Sequence, residues 1–117
     1  MVEELAALCA ELPGAEQYVM VHHPAFRVAK KPFAVVGMRK DGGDATVAVN
    51  LGREEQVTLL ADPRFERTRY IGQHGWVTIA RRELGAAELR ALIVDSWRRV
   101  AGKRRRAAWD ESRRGRG

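Results

Sequence analysis

The chain has one cysteine, Cys9, among its 117 residues, along with four prolines and eight aromatic side chains. A lone thiol cannot close an internal disulfide, which excludes a disulfide-built scaffold and points to a reducing compartment. Cys9 lies in an apolar-patterned stretch and reads as a buried structural thiol. No apolar run approaches the roughly 18 residues needed to cross a bilayer. The opening Met1-Val2-Glu3-Glu4 is acidic and lacks the basic and apolar regions of a secretory signal. These absences predict a cytoplasmic protein with no membrane partner. Catalytic signatures are missing too: there is no Gly-x-Ser-x-Gly, no glycine-rich phosphate loop, and no nucleophile with an identifiable base. Three histidines are present. His22 and His23 are adjacent, so on a strand they face opposite sides, and His74 alone completes no tetrahedral set. The expectation is no metal, no cofactor and no enzymatic activity.

Positive charge is what the chain has in excess. The formal net charge is +6 and the pI is near 10.2. Its distribution is uneven. Residues 98–117 carry nine Lys/Arg against two acids, and residues 1–97 carry twelve against thirteen. On this reading residues 1–102 form one α+β domain, close to neutral, and residues 103–117 form a basic, disordered tail.

Apolar spacing outlines the elements. Leu5, Leu8, Cys9 and Leu12 make one helical stripe, stopped by Pro13-Gly14. Tyr18 to Val21, Phe26 to Val28, Phe33 to Lys40 and Ala45 to Asn50 read as strands, with turns at Ala29 to Pro32 and Asp41-Gly42-Gly43-Asp44. Gly52 to Ala61 reads as a helix with Val57, Leu60 and Ala61 inward, closed by Asp62-Pro63. Glu66 to Ile71 is a weaker strand, Gly72 to Gly75 a turn, and Trp76 to Ala80 a further strand. A last helix places Leu89, Leu92, Ile93, Ser96, Trp97 and Val100 on one stripe, with Glu88 as half of a capping box and Gly102 as its C-cap. The order α-β-β-β-β-α-β-β-α predicts an antiparallel sheet with the N- and C-terminal helices packed on one face.

Several blocks carry a family resemblance. They are Leu12-Pro13-Gly14-Ala15-Glu16, Pro24-Ala25-Phe26-Arg27-Val28, Lys31-Pro32-Phe33-Ala34, Arg69-Tyr70-Ile71-Gly72-Gln73-His74-Gly75-Trp76-Val77, and the final helix through Asp95-Ser96-Trp97-Arg98-Arg99. In this order and spacing, over roughly residues 1–106, the chain resembles the MmcQ/YjbR family of bacterial proteins. The resemblance implies a CyaY-like fold, two helices against an antiparallel sheet with a double hairpin projecting as a "double wing", and with it DNA binding. The first helix lacks the dense acidic stripe of frataxins, so an iron role is not implied.

Two candidate sites follow. The first is a nucleic-acid surface in which cations contact phosphates without reading sequence. Its residues are Arg27, Lys30, Lys31, Arg39 and Lys40 on the hairpins, and Arg98, Arg99, Lys103, Arg104, Arg105 and Arg106 toward the tail. No helix-turn-helix or zinc-finger spacing supports specific readout. The alternative is a non-enzymatic small-ligand or protein-interaction site on the sheet face near His22, Arg69, Tyr70, His74 and Trp76. Nothing in the sequence calls for more than a monomer.

Overall fold

The computed structural model describes residues 1–37 and 45–114. Strands are β1 (Ala15–Met20), β2 (His23–Val28), β3 (Lys31–Val36), β4 (Thr46–Asn50), β5 (Phe65–Arg67) and β6 (Trp76–Ala80). Helices are α1 (Val2–Cys9), α2 (Arg53–Leu60), α3 (Ala86–Ala101) and α4 (Lys103–Arg114). The six strands form one antiparallel sheet in the order β1-β2-β3-β4-β6-β5. The expected α+β class and element order hold, with one helix added at the end.

Strand alternation divides the core in two. Val47, Val49, Val77 and Ile79 join Leu5, Phe26, Leu89, Ile93 and Trp97 in the main cluster beneath the helices. From the neighbouring positions, Ala25, Val35, Ala48 and Trp76 form a smaller cluster, against which Tyr18, Met20 and Ile71 pack. Residues 46–49 are buried throughout, because β4 is covered on both sides. A bulge in the β2–β3 register leaves Phe33 without a cross-strand partner. Phe33 and Ala34 consequently both reach the main core.

Two hairpins turn tightly without glycine. Val21-His22 joins β1 to β2 and Ala29-Lys30 joins β2 to β3, all four at positive φ. That is the backbone a two-residue loop needs to match strand twist. The Asp41 to Asp44 turn, with Arg39 and Lys40, falls outside the described residues.

Three expectations need correction. The strand expected over Glu66 to Ile71 is only Phe65–Arg67, and the chain then enters a loop with a 3-10 turn at Gly72–His74. In α2, Val57 is 73% exposed, whereas Gln56 is buried. The helix therefore faces inward with Gln56, Leu59 and Leu60 rather than with Val57 and Ala61, which is also exposed. The largest correction concerns the tail. Residues 103–114 form a docked helix, not a disordered segment. Gly102, at φ 87°, ends α3 as expected but redirects the chain into α4. The Trp109 ring meets Trp97 edge-on at 5.9 Å and is buried.

Candidate nucleic-acid interface at one end of the sheet

The antiparallel register decides which residues can meet. β3 and β6 begin, and β2, β4 and β5 finish, at the same end of the sheet. The Ala29-Lys30 turn lies there, with Lys30 and Lys31 exposed. α3 ends there as well. The Ser96 hydroxyl donates to the Phe33 carbonyl at 2.6 Å and accepts from the Asn50 amide at 3.1 Å. The Trp97 indole N–H donates to the Pro13 carbonyl at 3.1 Å. Arg99 then lies beside Gly52 and Asn50, its Nε 3.5 Å from Asn50 Oδ1. Arg105 in the first turns of α4 covers Gly14, at φ +73°, where an added Cβ would lie 2.5 Å from its Nε. The Gly14 Cβ position is also 3.1 Å from Val28 at the end of β2. The lysine turn and the start of α4 are therefore neighbours.

Many of the predicted cations are already committed. Arg27 donates to Glu16 Oε1 at 2.7 Å, and its guanidinium stacks 4.4 Å above the Tyr18 ring. Arg98 pairs with Asp110 at 2.9 Å. Arg105 donates to the Ala101 carbonyl and Arg106 to the Arg98 carbonyl, each at 3.1 Å. Arg27 is tied to β1, and Arg98, Arg105 and Arg106 fasten α4; none of them is a free surface. Lys30, Lys31, Lys103 and Arg104 are exposed, and among the described residues none has an acidic partner. Arg99 is also unpaired, but it lines a cleft with Leu51, Glu55 and Asp95, where two carboxylates offset its charge.

The alternative site does not assemble. His22 sits in the β1–β2 turn at the opposite end of the sheet, next to an edge strand, while Arg69, Tyr70 and His74 occupy the β5–β6 loop. Trp76 is buried in the smaller cluster and is not presented on the surface. What the structure does bring to the lysine end is that loop. Its carbonyls are held in succession: Gly72 by Gln56 at 2.8 Å, Gln73 by Arg53 at 2.9 Å, and His74 by Asn50 at 3.1 Å. Sequence reasoning missed Asn50, Arg53 and Gln56. Only the run of three polar side chains around Gly52 hinted at them.

Among the described residues, no group of histidine, cysteine, aspartate and glutamate is placed to hold a metal, and no helix is long and apolar enough to cross a membrane. Burial pushes the Cys9 thiol up to about 12, which makes it inert at neutral pH.

The assembled features define a class: a small α+β domain with helices on one face of a six-stranded antiparallel sheet and unpaired cations at one sheet end. The same fold occurs in the crystal structure of Deinococcus radiodurans protein DR2400, a DUF419 domain. The TM-score is 0.73 at 20% identity, over 94% of this chain and 88% of that one. No curated protein matches the chain. The YjbR family model matches residues 10–99, and the chain belongs to the YjbR family.

Proposed function

We propose that this domain is a binding module, not a catalyst, and that it holds the phosphate backbone of nucleic acid without reading sequence. The reading is supported by one observation: Lys30 and Lys31 in the β2–β3 turn, and Lys103 and Arg104 at the neighbouring start of α4, are exposed with no acidic partner among the described residues. Phosphate oxygens are the partners such ammonium and guanidinium groups suit, and each phosphate neutralised releases condensed counterion. Four contacts predict that log K falls with log salt at a slope between about −3 and −4 on duplex DNA.

The test is fluorescence anisotropy with labelled DNA across a salt series. Charge reversal of Lys30, Lys31, Lys103 and Arg104 together is expected to abolish binding, whereas Arg27→Gln is expected to leave the salt slope unchanged. No binding by the unaltered chain at about 50 mM salt would sink the reading. Truncation after Gly102 is a poor substitute, because it uncovers the Trp97 ring that Trp109 packs against.

A further inference from the structure

The loop from Thr68 to Gly75 is unusually well fastened for a connection that carries an exposed aromatic ring. Three successive carbonyls are bound by Gln56, Arg53 and Asn50, and Gln56 also donates to the Trp76 carbonyl at 2.9 Å. Gly75, at φ +99°, lies so close to the β4–α2 connection that an added Cβ would come 2.8 Å from the Gly52 carbonyl carbon. Ile71 packs into the cluster around Trp76. From this rigid base Tyr70 projects with 79% of its surface exposed. Its φ is 66°, in the left-handed region that bulky side chains avoid. Its hydroxyl has no hydrogen-bond partner among the described residues, and its one ring contact is the Arg69 guanidinium, 5.6 Å from the centroid. Strained backbone held by an over-determined surround, presenting an unused ring, is the pattern of a contact residue.

We infer that Tyr70 is a stacking platform for an unpaired base, so that the partner bound at this end of the sheet is single-stranded nucleic acid. The inference rests on the phosphate-binding reading above and narrows its ligand. β3, β4 and β6 are adjacent, so the starts of β3 and β6 stand two strand spacings apart, about 10 Å. One strand of backbone crossing the lysine turn therefore brings a base to the Tyr70 loop within a few nucleotides. In a duplex the bases are already stacked and paired, and the ring finds no free π-face. Cations along a backbone track together with an aromatic face are how single strands are held without sequence preference. The guanidinium of Arg69 covers one face of the ring and extends the platform.

The experiment titrates the full chain against labelled oligothymidylate, oligouridylate and an oligo(dA)·oligo(dT) duplex of equal length at matched salt. The single strands are expected to bind about tenfold more tightly than the duplex. Tyr70→Ala is expected to cost about tenfold on single strands and nothing on the duplex, and Tyr70→Phe to retain affinity. The two single-stranded arms separate DNA from RNA as the source. Equal affinity for strand and duplex, with Tyr70→Ala silent on both, overturns the stacking role and leaves the phosphate reading standing. Binding to none of the three overturns both.

Discussion

Helices α3 and α4 are consecutive, separated only by Gly102, yet they are held by different means. α3 buries Leu89, Ile93, Trp97 and Ala101 in the main core and Ser96 against β3 and β4. α4 buries Trp109 alone. The rest of its attachment is polar: Arg98 pairs with Asp110, Arg113 with Glu11 at 3.7 Å, and Arg105 and Arg106 donate to the Ala101 and Arg98 carbonyls. Arg90 and Arg113 also lie over the Trp109 ring, at 5.8 and 4.6 Å from its centroid. One arginine-rich stretch therefore contains both fasteners and free cations. A count of positive residues does not distinguish them, but their partners do.

The contrast can be broken at its tryptophans. Trp97→Ala removes a fully buried ring at the junction of α1, α3 and α4 and is expected to cost about 3–5 kcal/mol by denaturant titration. A loss under about 1 kcal/mol would contradict the placement of the core. Trp109→Ala is expected to cost less, about 1–3 kcal/mol, because only the outer helix comes loose. Hydrogen exchange should then show protection lost over residues 103–114 and kept in α3. Loss spread evenly over both helices would mean that the two fold as one unit.

The smallest effect is acid fraying at the start of α3. The Gly85 amide donates to Glu88 Oε1 at 3.2 Å and Arg64 donates to Glu88 Oε2 at 3.2 Å. These contacts, the backbone bond first, hold the Glu88 carboxyl below its ordinary value. A depressed folded-state value means that the contribution is complete above about pH 5 and is lost as pH falls through that value. The amides in the first turn of α3 should therefore be less protected, relative to their intrinsic exchange rates, near pH 3 than near pH 6. Glu88→Ala should flatten that dependence, and α3 fraying alike at both pH values in the unaltered chain would count against the cap.

The fold was largely legible because its strands and α1 and α3 follow simple periods. Val47 and Val49 alternate with Ala48, and Leu89, Ile93 and Trp97 recur at four-residue steps. What escaped was held by polar groups. Gln56 turns α2 by its two hydrogen bonds, to the Gly72 carbonyl in the loop and the Trp76 carbonyl at the start of β6, which leaves Val57 outside and defeats a reading from apolar spacing. α4 looked unfoldable for the same reason, since one tryptophan among arginines makes no stripe. The candidate site was legible as a set of charges but not as a place. The register puts the Lys30-Lys31 turn at the end of the sheet where α3 finishes, and Gly102 then starts α4 beside it. That same register sends His22 to the far end, away from Arg69, Tyr70 and His74.

The Ala29-Lys30 turn has a consequence for anyone wishing to stabilise the protein. Both residues adopt a left-handed backbone, φ 50° and 67°, that costs a side-chain-bearing residue about 1–2 kcal/mol and glycine almost nothing. An Asn-Gly replacement is the obvious thermostabilising edit to this hairpin. It also deletes a lysine from the tip. A stability screen would accept that variant readily; on the proposed phosphate-binding role of Lys30 it would also weaken ligand binding, so selection for heat resistance and selection for binding would pull this turn in opposite directions.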